Sequence, residues 1–249
     1  MVKVTGATDR GRVRERNEDR FAGEALAGDY CYGVVCDGMG GENGGSVASG
    51  IACEEVRRLM ESSCRSGLDD RSAYMILESA VSTANAVVLA QARQDPDHLR
   101  GMGTTLCLAL VTGQRCYIAN VGDSRAYLCR EGELTQQTVD HNRAQMLVEL
   151  GEITPEEAPT HPDRNLLTRA IGVRERMEAS YSQLELMPGD TLLLCSDGLY
   201  NMVPQEMLGE LTAQAAEQWD CTPLLREANA QGGRDNITAV LLHRERTES

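Results

Sequence analysis

What most constrains this chain is an apolar run that stops at a carboxylate and then turns to glycine. Tyr30-Cys31-Tyr32-Gly33-Val34-Val35-Cys36 leads into Asp37-Gly38-Met39-Gly40-Gly41. A short, continuous apolar stretch bounded by turn residues reads as a buried strand, and the glycines let the backbone come close to a ligand. Alone, such a stretch is an ordinary strand running into a turn. The design recurs, however. Thr191-Leu192-Leu193-Leu194-Cys195-Ser196-Asp197-Gly198 repeats it, and Gly232-Gly233-Arg234-Asp235-Asn236-Ile237 inverts it, with Asp235 at a strand entrance. Tyr117-Ile118-Ala119-Asn120-Val121-Gly122-Asp123 places another aspartate where one strand turns into the next. Antiparallel neighbours bring one strand's exit beside the next strand's entrance, so Asp37, Asp123, Asp197 and Asp235 can converge on one rim. Carboxylates gathered there repel one another unless cations neutralise them. The pattern therefore predicts a metal site.

The 249 residues fit a single domain with a sizeable core. Around the Asp37 strand, the spacing predicts a helix within 45–64 carrying Val47, Ile51, Val56, Leu59 and Met60 on one face, and a second over about 71–93 that buries Leu77, Val81, Ala84 and Val88. It ends at Asp95-Pro96-Asp97, where His98 reads as a loop residue. Turn signals at 112–114, 122–124 and 131–133 predict an antiparallel meander over 104–139. Residues 141–175, with a short helix at 143–150 and three prolines, read as an excursion from the core that can cover the site as a flap. Strands are expected at 177–186, 191–196 and 236–243, with a polar helical stretch over 204–229. This order lacks regular β-α-β alternation, so a layered antiparallel α+β architecture is expected rather than a doubly wound parallel sheet.

Composition narrows the function. A formal charge of −14, from 38 acidic against 24 basic side chains, argues against nucleic acid as partner. The sequence offers no signal-peptide core and no apolar segment approaching the ~20 residues that span a bilayer, so a cytoplasmic protein without membrane partners is expected. Nine cysteines without a Cys-x-x-Cys pair argue against a zinc site or disulfide framework. Strand parity puts Cys195 on the side of Asp197, with packing as its role. No P-loop, dinucleotide fingerprint, His-Glu-x-x-His or Gly-x-Ser-x-Gly is present.

The basic residues sharpen the chemistry. Arg10, Arg12, Arg14 and Arg16 fall at alternate positions, and in an extended segment would share one face, as a phosphate-directed surface or as a solvated edge. Asn17-Glu18-Asp19 follows at once. All-oxygen ligation by aspartates and a backbone carbonyl suits Mg²⁺ or Mn²⁺. Two such ions bridged by Asp37, one completed by the Gly38 carbonyl, would deprotonate a water and clamp a phosphoryl oxygen.

Seven motifs in order then resemble one family: Arg14-x-x-Asn17-Glu18-Asp19, Asp37-Gly38-Met39-Gly40-Gly41, Gly103-Thr104-Thr105, Asn120-Val121-Gly122-Asp123-Ser124-Arg125, Leu166-Leu167-Thr168-Arg169-Ala170-Ile171-Gly172, Ser196-Asp197-Gly198-Leu199 and Gly233-Arg234-Asp235-Asn236-Ile237-Thr238. They resemble the metal-dependent Ser/Thr protein phosphatases of the PPM (type 2C) family in its compact bacterial form, from about Thr5 to His243. The resemblance implies a four-layer α-β-β-α sandwich with two central antiparallel sheets, residues 1–249 forming one phosphatase domain with a flap at about 141–175. It implies hydrolysis of phosphoserine and phosphothreonine in proteins by direct attack of a metal-bridging water, and a cognate Ser/Thr kinase as a further partner; a monomer is expected. By position, Asp37 bridges two Mn²⁺ or Mg²⁺ ions, Gly38 gives its carbonyl to one, and Asp197 and Asp235 ligate the other. Glu18 and Asp19 would hold metal-bound waters, Asp123 would help bind a weaker third ion, and Arg14 would grip the substrate phosphate. Two departures stand out. Met39 replaces the His that animal members carry after Asp-Gly, and Glu42, to which no role is given, stands where many bacterial relatives have His. An inactive regulatory relative and a metal-binding structural domain are the rival classes. A phosphatase assay with and without Mn²⁺ separates all three.

Overall fold

The computed structural model describes residues 1–26, 30–63 and 68–246, with the side chains of 41–43, Glu42 among them, and all of Cys64 outside that description. Ten strands form two five-stranded sheets. The first runs in the order β1 (Val2–Asp9), β12 (Ile237–Arg244), β11 (Thr191–Cys195), β8 (Arg125–Arg130) and β9 (Glu133–Gln136). The second runs β10 (Ser180–Glu185), β7 (Arg115–Val121), β6 (Leu106–Thr112), β3 (Tyr30–Cys36) and β2 (Arg20–Ala25). A short ladder joins β4 (Gly38–Met39) to β5 (Gly103–Thr104), and all named pairings are antiparallel.

The period of two along each strand sorts side chains into three cores between four layers. Tyr32, Val34, Cys36, Leu106 and Leu108 face outward onto α1 (Gly41–Ser63) and α2 (Asp70–Gln94). Their neighbours Cys31, Val35, Cys107 and Ala109 face inward, meeting Leu192, Leu194, Val240 and Leu242 of the other sheet. On the far side Leu193, Cys195, Ala239 and Leu241 pack beneath α5 (Asp197–Tyr200), α6 (Gln205–Gln218) and α7 (Thr222–Ala230). The result is the α-β-β-α sandwich. Because β3, β6, β11 and β12 are interior strands of covered sheets, they are apolar on both faces, which explains their unbroken apolar runs.

Several local expectations are corrected. The meander over 104–139 breaks at Gly122-Asp123-Ser124: β6 and β7 pair, and β8 and β9 pair, but β7 and β8 lie in different sheets. Turn spacing cannot distinguish a hairpin from a crossover, and this crossover is what carries Asp123 to the rim. The four alternating arginines do not share an extended face, for β1 ends at Asp9, whose carboxylate accepts from the Gly11 N–H at 2.8 Å where Gly11 takes a φ of +78°. The first helix begins at Gly41 rather than about 45, and Met177 to Ala179 precede β10. The helical stretch over 204–229 is two helices, since Trp219 adopts a left-handed φ of +59° at the C-cap of α6. His98 sits on a single turn, α3 (Pro96–Leu99), with Nδ1 2.8 Å from Asp95 Oδ1. Contrary to the expectation from composition, α2 is long and apolar enough to cross a membrane, at a mean hydropathy of 1.4. Here it is a covering helix, with Leu77, Val81, Ala84 and Val88 buried as expected. The excursion contains α4 (Arg143–Glu149), capped by Asn142, whose Oδ1 accepts from the Gln145 N–H at 2.9 Å.

Candidate active site

The ends of β3, β7, β11 and the start of β12 open onto one cavity of about 380 Å³. Every residue expected at the site lines it, except Asp19, which is fully buried beside it. A larger groove of about 970 Å³ lies at the far end of β1 and β12, around Lys3, Trp219 and His243. None of the strand-end aspartates reaches that groove, so chemistry rather than size selects the smaller cavity.

Backbone bonds fix the carboxylates in place. Asp37 donates its N–H to Thr105 Oγ1 at 2.9 Å, and its carbonyl accepts from Thr105 N at 2.8 Å and Thr104 Oγ1 at 2.9 Å. Thr105 in turn bonds Ser124 at 2.6 Å, tying the Asp37 strand end to the Asp123 crossover. Gly38 has no room for a side chain: a Cβ there would lie 2.2 Å from the Gly45 carbonyl oxygen. Asn236 fastens the 10–18 loop to the entrance of β12, its Oδ1 accepting from Glu18 N and its Nδ2 donating to the carbonyls of Arg10 and Arg16, each at 2.8 Å. That brace, and not strand alternation, brings Arg14 and Glu18 to the cavity. Tyr200 donates to the Asp123 carbonyl at 2.9 Å, and its ring lies 3.7 Å beneath the Arg125 guanidinium, which is paired with Asp140.

The electrostatics are those of crowded acids, with Arg14 the basic group that lines the cavity. Burial lifts Asp37 and Asp197 well above the ordinary carboxylate range, and the surrounding aspartates lift both further. Asp123 is pushed up to about 7, by burial first and then by Asp140. Asp19 rises to about 6 because burial outweighs the hydroxyls of Ser196, at 2.6 Å, and Thr238, at 2.7 Å, that bond its Oδ2. Its Oδ1 is buried without any partner. Glu18 is also raised, chiefly by burial. Groups that favour a proton in this way equally favour a cation.

The donor set, carboxylates with one unobstructed glycine carbonyl, suits hard ions such as Mg²⁺ and Mn²⁺. The orphaned Asp19 oxygen is a further acceptor awaiting a partner. Among the described residues, however, no three His, Cys, Asp or Glu side chains already close on one point as a finished cage. Asp235 explains part of this. Its Oδ2 takes the Arg14 guanidinium at 2.7 Å and its Oδ1 takes the Asn236 N–H at 2.8 Å. Arg14 therefore faces the cavity as expected, but paired with an acid.

Ser196, Thr238, Asn236, Tyr200 and Asp140 join the site without an expectation from the sequence. Ser196, Asn236 and Thr238 adjoin the aspartates within the recognised motifs, a signal that was available. Nothing in the pattern pointed to Tyr200 or Asp140. Cys195 lies in the helix-facing core near Leu199, where it packs. The eight described cysteines are buried.

Known proteins share the fold and a third or more of the sequence. The crystal structure of the Mycobacterium tuberculosis serine/threonine phosphatase PstP superposes with a TM-score of 0.84 at 38% identity, covering 98% of this chain and 99% of that one. Staphylococcus aureus Stp1 gives 0.89 at 33%, covering 98% and 96%. A structure of the PstP catalytic domain in complex with two manganese ions gives 0.80 at 36%, covering 97% of each chain. In sequence, the serine/threonine phosphatase stp of Listeria monocytogenes is 38% identical over 245 residues, 97% of this chain and 95% of its own. Full-length PstP is 38% identical over 244 residues, a match that spans 45% of that longer protein. The class so defined is the protein serine/threonine phosphatases. Residues 8–241 match the protein phosphatase 2C family, and the chain belongs to it.

Proposed function

We propose that the cavity hydrolyses phosphoserine and phosphothreonine esters of proteins with two divalent cations, Mn²⁺ or Mg²⁺, that Asp37 shares between them. The gathering of buried carboxylates with raised proton affinity around one cavity carries this reading. Gly38 would offer its carbonyl to one ion, and Asp197 and Asp235 would hold the other. Glu18 and Asp19 would hold water through their remaining oxygens, and Asp123, at the sheet crossover, would serve a weaker third ion. Cations held here would supply acidification of a water and charge neutralisation at the phosphoryl oxygens.

Arg14 binds the substrate phosphate, and the pairing with Asp235 suggests how. An aspartate that held a cation would attract a guanidinium less, which would leave Arg14 able to donate two bonds to the phosphate. Asn165, Leu166 and Leu167 line the same cavity, which supports 141–175 as a flap over one domain of 1–249. Phosphoproteins and a cognate Ser/Thr kinase are the partners we assign, with no nucleic acid or membrane, a monomeric state and a cytoplasmic location. The test is release of phosphate from phosphothreonine peptides. Turnover with Mn²⁺ and none in excess chelator is expected; full activity in chelator refutes the reading.

A further inference from the structure

A second pocket, of about 250 Å³, adjoins the catalytic cavity, with Met39 and Leu167 lining both. Its remaining wall comes from the chain between Thr168 and Glu178 and carries three guanidinium groups, Arg169, Arg174 and Arg176, against one carboxylate, Glu178. That balance is unusual in a chain of charge −14. Elsewhere arginines are paired with acids, as in Arg57 with Glu54, Arg115 with Asp70, Arg125 with Asp140 and Arg130 with Asp190. Arg174 and Arg176 are exposed, and among the described residues neither guanidinium has an acidic partner. Glu175 stands between them in sequence, but it is drawn to Arg93 of α2 at 2.6 Å.

The turn that presents these arginines is built rather than loose. Asn85 of α2, 3% exposed, donates to the Arg174 carbonyl at 2.9 Å and accepts from the Gly172 N–H at 2.8 Å. A Cβ on Gly172, at a φ of +87°, would lie 2.2 Å from Val88, so the turn sits hard against α2. Arg169 is held from the other side, its guanidinium 3.3 Å from His141 Nε2 and donating to the Glu178 carbonyl at 3.4 Å. Two free guanidinium groups on a braced turn, one shared wall away from the phosphate, form a site for an anion.

We infer that this pocket is a specificity subsite for an acidic side chain, a carboxylate or a second phosphate, flanking the phosphorylated residue of the protein substrate. The inference rests on catalysis in the adjoining cavity. It assigns selectivity to Arg174 and Arg176, with Met39 as the apolar divider between the two anions. Guanidinium groups match either acid by two parallel bonds, and partial exposure keeps the preference moderate.

The experiment compares phosphothreonine peptides that differ at one position within about three residues of the phosphothreonine, a reach of ~10 Å in extended chain. Each position carries Ala, Glu, phosphoserine or Lys, and kcat/KM for phosphate release is measured with Mn²⁺. At one or more positions Glu or phosphoserine should exceed Ala by about tenfold, and the order of Glu and phosphoserine identifies the acid preferred. Arg174→Ala with Arg176→Ala should bring that ratio close to one, and Arg174→Glu with Arg176→Glu should make the Lys peptide better than the Glu peptide. Each ratio is taken within one variant, so partial loss of folded enzyme cancels. Equal rates for Glu and Ala at every position, or a preference that survives both double variants, would overturn the subsite. If no peptide is turned over at all, catalysis in the cavity is refuted and the subsite with it.

Discussion

Replacing Arg14 by Ala should change cation binding and substrate binding in opposite directions. The pair with Asp235 is short, at 2.7 Å, but the two side chains are 54% and 35% exposed. An ion pair so open to water contributes about 0.5 kcal/mol to folding, so the melting temperature should fall by no more than ~2 °C. Removing the guanidinium also removes a positive charge from Asp235, where a cation competes with it. A gain of about 0.5–1 kcal/mol, or roughly two- to fivefold tighter Mn²⁺, is expected by calorimetric titration of the metal-free protein. The substrate phosphate meanwhile loses charge-assisted hydrogen bonds worth about 1.5–3 kcal/mol. At saturating Mn²⁺, kcat/KM for a phosphothreonine peptide should fall by about 10- to 100-fold, mostly through KM. A variant that binds Mn²⁺ more weakly would refute the competition between guanidinium and cation. Unchanged kcat/KM would move the phosphate contact to another residue.

Asp197→Asn and Asp235→Asn should each abolish turnover while leaving a folded protein by circular dichroism, because these acids are gathered against their own repulsion; an active Asp197→Asn enzyme contradicts the assignment. In chelator, stability should rise as pH falls from 8 to 6. Asp19 and Asp123 titrate near 6 and 7 when folded and near 4 when unfolded, so their contribution is complete below ~4 and is lost as pH rises through the folded values. His141, lowered to about 4 by burial and Arg169, and His243, lowered chiefly by burial, oppose this below ~6.5, while the raised Asp37 and Asp197 reinforce it. Calorimetry showing a chelated protein more stable at pH 8 than at pH 6 would refute it. Gln substitutions at His98, His161 and His243, which do not line the cavity, should retain most phosphopeptide activity, whereas Met39→His should raise the ratio of phosphopeptide to nitrophenyl phosphate turnover by supplying an acid to the alkoxide. An unchanged ratio means that the imidazole does not reach the leaving oxygen.

His141 shows where reading along the chain stops. No motif singled it out, yet its Nδ1 accepts from the Gly122 N–H at 3.2 Å and its Nε2 lies 2.8 Å from Ser180 Oγ, joining the Asp123 crossover to the base of the excursion. Its Gln variant should therefore disturb the Asp123 loop. The contact spans 19 residues to one side and 39 to the other, and no local pattern encodes such a meeting.

The sequence by itself determined the strand-end aspartates, the buried strands that carry them and the two helices that cover one sheet. Each of these follows from apolar periodicity and from carboxylates abutting glycine, which are local in the chain. Tertiary structure alone decided that β7 and β8 belong to different sheets, since a turn of given composition serves a hairpin and a crossover equally. It alone decided the course of the 10–18 loop, where the alternation of arginines suggests a strand but Asn236, more than two hundred residues away, holds the backbone in a loop. The partner of Arg14 was likewise hidden. Charge on a sequence has no address, and only packing brings one guanidinium to Asp235 while leaving Arg174 and Arg176, among the described residues, without a paired acid.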